Sequence, residues 1–162
     1  MGYETKEFKI ENSNFFRAIA NRPEAMREIA ALYETVMGSG ELDIRTKELI
    51  YVAVSAVNEC GYCSVHHEAR ARTVGISEHE IEDVRAETDQ TFSERDRAAL
   101  RYARELTRTA ATENETKQAL ENAFRPEQLV ELTEVIALAN FTNRISNGLG
   151  VSVDNQKFRS AS

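Results

Sequence analysis

Two cysteines occur in the sequence, Cys60 and Cys63, and His67 follows the second by four residues. On a helix that spacing puts Cys63 and His67 on one face, with Cβ atoms about 5–6 Å apart. An imidazole so placed can take the thiol proton, and the ion pair that results stabilises the thiolate. Such surroundings bring a cysteine pKa from about 8.5 to roughly 3.5–7.5. The pair also falls at a predicted helix start, where unpaired backbone N–H groups and the helix dipole favour a thiolate. Attack on a peroxide or a disulfide requires that thiolate. The helix start favours Cys60 as the attacking sulfur and the histidine favours Cys63, so the residues leave that choice open.

Other uses of the pair can be weighed. A chain of 162 residues is long enough to bury a core without staples, and closing so short a loop removes little chain entropy. A structural disulfide is therefore a poor explanation, and two small buried residues beside a satisfied histidine a bland one. Zinc or iron is the better rival, since Cys60, Cys63, His67 and Glu48 make four potential ligands. No second Cys or His pair supports a closed metal site. Of the other histidines, His66 is read as a surface or packing residue and His79 as a solvated one.

Glu48 enters through the helix that must precede the pair. Taken as helical, Glu48, Tyr51, Ser55 and Asn58 lie within an arc of about 80° at 100° per residue. The other faces of that segment carry Leu, Ile, Val and Ala, so it is expected to be buried. An unpaired buried polar group costs on the order of 1–3 kcal/mol, so the stripe needs partners. It is either a hydrogen-bonded core network or a stripe aimed at the cysteines that follow it.

Helix formers dominate the elements that position these residues. A short helix is predicted after Ser13, through Phe15, Phe16 and Ile19. A second starts at Pro23, in the first helical turn, and ends at Gly38-Ser39-Gly40. Asp43 caps the third, and the fourth runs from about Tyr62 to Thr73, ended by Gly75. Ser77 with Glu80 is a capping-box signature, and Ser93 opens a further helix. A weak helix is expected over 117–124, and Pro126 starts a long last one that stops near Gly148. Arg101, Arg104 and Arg108 read as an exposed charged face. Asn140, Asn143 and Asn147 recur on the last helix and face the site, a subunit interface or a solvated edge. The segment Leu49 to Val57 is rich in β-branched residues, but no other strand exists to pair with it and the helical pattern begins earlier, at Arg45. The expectation is an all-α, single-domain helical bundle of about six to eight helices over 1–162, with a frayed tail over 154–162.

Net charge is -7, with Lys and Arg scattered, which argues against nucleic acid as a partner. No apolar run is long enough to span a bilayer, and the charged first residues lack the apolar region of a secretory signal. A cytoplasmic protein is the default expectation, with no membrane partner.

The pattern Glu48, eleven residues, Cys60-x-x-Cys63-x-x-x-His67 resembles the alkylhydroperoxidase AhpD-like branch of the carboxymuconolactone decarboxylase superfamily. The specific likeness covers residues 42–75, in RTKELIYVAVSAVNECGYCSVHHEARARTVG, and LANFTNRISNGLGV is similar to that family's C-terminal helix. The resemblance implies an all-helical fold assembled as homotrimers or homohexamers. It implies a cysteine peroxidase without metal, haem or other cofactor, acting on a hydroperoxide and recycled by a lipoylated or thioredoxin-like thiol donor. It also implies roles. Glu48 acts through a bridging water on His67, His67 deprotonates Cys63, Cys63 attacks, and Cys60 resolves the sulfenic acid to a disulfide. Tyr51, Ser55, Asn58 and Tyr62 are expected around these four. Tyr62 is a departure, standing where the best-known members have a histidine, and a phenol is a poor base at neutral pH. Decarboxylase members use histidine-based sites and lack the cysteine pair, which disfavours lactone decarboxylation. The alternatives are a redox-sensing or general disulfide oxidoreductase module, a protein binding zinc or iron through both cysteines, His67 and Glu48, and a cofactor-free decarboxylase or hydrolase.

Overall fold

A computed structural model describes residues 13–154. Eight helices run through them: α1 (Asn14–Ile19), α2 (Pro23–Met37), α3 (Ile44–Val57), α4 (Gly61–Thr73), α5 (Glu78–Ala86), α6 (Glu94–Thr109), α7 (Asn114–Ala123) and α8 (Pro126–Leu149). No strand occurs among the described residues, and the architecture is the expected single-domain all-α bundle. The expected fraying of 154–162 lies, after Asp154, outside the described residues.

Local chemistry starts most helices where the sequence places them. Ser13, Asp43, Ser77 and Ser93 each accept a backbone N–H of the first turn through the side chain. Ser77 and Glu80 complete the capping box. Each such cap contributes about 1 kcal/mol. Pro23 and Pro126 occupy the first helical turn of α2 and α8, where a missing N–H costs nothing.

Helix α3 is the axis of the bundle. It packs against α4, α5, α6 and α8, and its residues from Thr46 to Ser55 are all buried. A helix enclosed on every side can be as rich in Val and Ile as a strand, because packing overrides propensity. The main core joins Leu49, Ile50, Val52 and Val54 to Leu100 and Ala103 of α6 and to Leu132, Val135 and Ile136 of α8. A second, smaller cluster holds Phe15, Phe16, Cys60, Tyr62 and Cys63, so the cysteines sit under their own apolar cover.

Lys47 and Arg104 are buried cations. Lys47 is completely buried, and its ammonium donates to Val36 O at 2.8 Å, Gly38 O at 2.7 Å and Glu131 Oε1 at 2.5 Å. Three donors meet three acceptors, which ties the end of α2 and the start of α3 to α8. Arg104 departs from the exposed face expected of it: it is buried, forked onto Asp89, and donates to Val84 O at 3.0 Å. Arg101 and Arg108 remain at the surface with Glu115 and Glu87. The 3–4 spacing of the three arginines matched a solvated face, but Arg104 is drawn inward by the carbonyl ending α5 and the aspartate beyond it.

Truncating Lys47 leaves Glu131 and two carbonyls without their cation. Lys47→Ala is expected to cost about 3 kcal/mol, the low end for breaking a buried ion pair, measured as the change in free energy of urea unfolding. A loss below about 1 kcal/mol, the range of exposed pairs, contradicts the staple role.

Candidate functional site

A two-residue turn carries α3 into α4. Asn58 is the C-cap of α3, and Glu59 adopts a left-handed φ of 49°. That conformation costs a non-glycine residue about 1 kcal/mol, and it delivers Cys60 directly beneath the end of α3. Cys60 N donates to Ser55 O at 3.0 Å, and Cys60 is then the N-cap of α4, its Sγ accepting from Cys63 N at 3.3 Å. Cys60 and Cys63 are joined as a disulfide with a Cα–Cα separation of 5.3 Å. No other cysteine exists in the chain.

One turn on, His67 meets the carboxylate of Glu48. Its Nδ1 lies 2.7 Å from Oε2, a direct contact in place of the bridging water that the family likeness implies. Glu48 is fully buried and His67 nearly so. The second carboxylate oxygen, Oε1, accepts from Arg70 Nε at 2.8 Å. Tyr51 stacks on the imidazole, with ring centroids 3.5 Å apart and planes inclined by 14°, and its hydroxyl bonds Thr142 Oγ1 at 2.5 Å. Ring and carboxylate together fix the imidazole in both tilt and rotation.

The electrostatics follow from that packing. Burial alone raises Glu48, but His67 and Arg70 outweigh it and hold the carboxyl below the usual range. Burial pushes the His67 imidazole down, and the neighbouring Glu48 offsets this only in part. Glu48 is thus an anion and His67 a neutral ring at pH 7. An ionised carboxylate can only accept, so Nδ1 carries the ring proton and Nε2 the free lone pair. Burial also raises the Tyr51 and Tyr62 phenols, which stay protonated.

A pocket of about 50 Å³ opens over these groups, lined by Cys63, His67, Tyr51, Tyr62, His66 and Arg70, with Phe15, Phe16, Ile29 and Tyr33 as apolar walls and Ser13, Thr142 and Ser146 between them. It holds a few waters or the reactive end of a small molecule. Cys63 lines it, and Cys63 Sγ lies 3.6 Å from Ser146 Oγ. Cys60 is completely buried and does not line it.

The rest of the predicted stripe goes elsewhere. Ser55 accepts from Asn143 Nδ2 at 3.3 Å, and Asn58 Nδ2 donates to Asn140 and Asn143 at 3.0 and 3.2 Å. Asn147 Nδ2 closes the set on Asn58 O. Neither Ser55 nor Asn58 lines the pocket, and neither do the α8 asparagines: Asn140 and Asn143 bond the end of α3, while Asn147 bonds Asn58 O from the solvated edge. The α3 stripe therefore divides: Glu48 and Tyr51 reach the imidazole, while Ser55 and Asn58 clamp α8. Tyr62 is at the pocket, its hydroxyl 2.9 Å from Ser13 Oγ and donating to Asp154 Oδ2 at 3.2 Å. His66 follows the packing reading and not the surface one: it lines the pocket, tilted against Tyr62 at 4.3 Å, with Nε2 3.0 Å from Asp154 Oδ2. His79 is exposed as expected.

Sequence reasoning missed Arg70, although its offset of three from His67 and seven from Cys63 puts all three on one helical face. Ser13, Tyr33, Thr142, Ser146 and Asp154 carried no local signal, because other segments bring them in. For the metal-binding alternative, no group of three or more His, Cys, Asp or Glu side chains is arranged to hold a metal among the described residues. No helix there is long and apolar enough to cross a membrane.

A helical bundle with a vicinal cysteine pair, an imidazole and a buried carboxylate around one apolar pocket defines a dithiol protein of the AhpD-like type. The chain belongs to the carboxymuconolactone decarboxylase family, whose model matches residues 23–105, and within it to the AhpD-like branch. It is 29% identical to the uncharacterized protein YdfG of Bacillus subtilis over 131 residues, 79% of this chain and 88% of that one. Among solved structures, a candidate antioxidant defence protein AhpD of Agrobacterium tumefaciens superposes with a TM-score of 0.80 at 28% identity, covering 85% of this chain and 96% of the other. An uncharacterized peroxidase-related protein of Ralstonia eutropha JMP134, described as an alkylhydroperoxidase AhpD core, gives 0.79 at 27% identity, covering 88% and 77%.

Acid sensitivity follows from the two depressed groups. His67 titrates below its ordinary 6.5 when folded, so between the two values the unfolded chain binds more protons and stability rises with pH. Its contribution is complete above about pH 6.5 and falls as pH drops toward the folded value. Glu48, lowered from 4.5, continues the loss at more acidic pH. The urea midpoint is expected to be level near neutrality and to decline below pH 6.5. His67→Gln should flatten the first part of that decline; an unaltered curve would show that the ring is not held neutral.

Proposed function

We propose that this protein is a cysteine-based hydroperoxide reductase working through a dithiol–disulfide cycle in antioxidant defence. The observation that carries the reading is that Cys63 and His67 line one pocket while Glu48 fixes the far side of the ring at 2.7 Å. His67 Nε2 takes the Cys63 proton. The thiolate attacks the outer peroxide oxygen; an S–O bond forms, the O–O bond breaks, and the alcohol leaves with a proton returned through His67. Cys63 is now a sulfenic acid. The Cys60 thiol displaces its oxygen as water, forming the disulfide. An external dithiol, such as a lipoylated or thioredoxin-like protein, reduces the disulfide and is itself oxidised.

Position supports the division of labour. Cys63 faces the pocket and Cys60 lies behind it, already at disulfide distance. The apolar walls keep bulk water from the thiolate and suit the organic part of a peroxide. Tyr62, in the place of the histidine of the best-known members, supplies a hydrogen bond and no base. Assembly into trimers or hexamers belongs to the same proposal and is favoured by the exposed Leu32, Phe141 and Leu149.

Consumption of an organic hydroperoxide with a dithiol donor tests the reading. Turnover by the wild type and its loss, by at least about a hundredfold, in Cys63→Ser are expected, general base-assisted nucleophiles contributing on that scale. Full turnover in Cys63→Ser ends the proposal. Stoichiometric oxidation without turnover in the wild type would instead assign a redox sensor.

A further inference from the structure

Arg70 is the one strong cation that reaches Glu48 among the described residues. Its Nε donates to Oε1 at 2.8 Å while His67 Nδ1 holds Oε2 at 2.7 Å, so one carboxylate bridges a guanidinium and an imidazole. Glu48 is fully buried, and its side chain has no exposed surface from which to borrow water. Arg70 lies three residues after His67 on α4, and its guanidinium also passes 5.9 Å from the Tyr33 ring.

A buried carboxylate beside an imidazole has two ways to settle its charge. With no other cation, it draws a proton onto the ring and makes an imidazolium–carboxylate pair. With a fixed guanidinium on its second oxygen, the charge is already balanced, and a second cation is disfavoured by repulsion as well as by burial. An imidazolium at rest cannot act as a base. We propose that Arg70 is a positioning residue of the site: it pins and neutralises Glu48, so that His67 rests as the neutral ring with Nδ1–H on Glu48 and Nε2 open to the Cys63 proton. The inference rests on the base role given to His67 above.

Among the described residues, the groups facing His67 are few. Glu48 and Tyr51 come from α3, Tyr33 from α2, and Arg70 and His66 from α4; Thr142 of α8 holds the Tyr51 hydroxyl. Asp154 lies one residue further out, on His66 and Tyr62. Tyr51 stays protonated, and His66 adds repulsion of the same sign as Arg70 only when charged. Glu48 and Arg70 therefore set the balance.

The test reads protonation rather than turnover. The ring nitrogens of His67 are followed by NMR against pH in the reduced protein, and the rate of Cys63 alkylation is measured over the same range. In the wild type, a neutral ring protonated on Nδ1 at pH 7 is expected; an imidazolium there overturns the proposal without any variant. Arg70→Gln should move the His67 titration and the acid limb of alkylation upward by about one pH unit, which is about tenfold slower alkylation at a fixed pH below the limb. Arg70→Lys, which keeps the charge but not the planar fork, should recover most of that shift. A folded Arg70→Gln protein with an unmoved titration sinks the role. Because neither readout requires peroxide, failure here is separable from failure of the peroxidase reading, which is decided by turnover in Cys63→Ser.

Discussion

The carboxylate of Glu48 is an ionised group with no exposed surface, held by one imidazole and one guanidinium. Taking such a group out of water costs several kcal/mol unless its lone pairs are met by well-placed donors. Here the donors come from α4 and the carboxylate from α3, so the site exists only while those two helices keep their register. The tight turn at Asn58–Glu59, the Cys60 N–H on Ser55 O and the burial of α3 on all sides serve that register. The imidazole is oriented because the carboxylate is, and the carboxylate is oriented because the central helix cannot rotate.

Around this pair the molecule separates two kinds of polar burial. Lys47 with Glu131, and Ser55 and Asn58 with the α8 asparagines, are closed sets whose donors and acceptors meet one another. They lock α8 onto α3. The His67–Glu48–Arg70 set is left open on one side, since Nε2 of the ring has no role in holding the carboxylate. Closed sets fix geometry, and an open one can exchange a proton. The second apolar cluster, with α1 at its edge, gives the open set a dry wall and leaves Cys63 facing a small pocket.

The family places the chain among AhpD-like proteins, and its pocket has an outer polar group of its own beside the dithiol. Tyr62 anchors Ser13 and Asp154 through its hydroxyl, so the residue between the cysteines ties the approach to α1 and the segment after α8 to the dithiol. His66 joins that outer group through Asp154. Two histidines adjacent in sequence thus occupy different electrostatic settings, one beside a fully buried carboxylate and one nearer the opening.

Local signals in the sequence were sufficient for the helices: Ser13, Pro23, Asp43, Ser77, Ser93 and Pro126 mark starts that depend on nearest neighbours alone. The spacing of Cys60, Cys63 and His67, and the polar stripe headed by Glu48, showed which side chains share a helical face, because helical periodicity needs no tertiary information. It could not tell where along the stripe the partner helix changes. Glu48 proved to face α4 and Tyr51 to bridge α4 and α8, whereas Ser55 and Asn58 face α8, and Arg104 turned inward from what looked like a solvated row. Arg70 shares the helical face of His67 by its spacing, whereas Thr142, Ser146 and Asp154 reach the site through contacts that distance along the chain does not encode. Which sulfur lines the pocket likewise belonged to packing: both lie at the start of α4, but Cys60 is buried under the end of α3 and Cys63 meets the pocket. The sequence determines the chemistry that is available, and the arrangement of helices decides which atoms can use it, since charge balance and access to a pocket are properties of side chains brought together from distant segments.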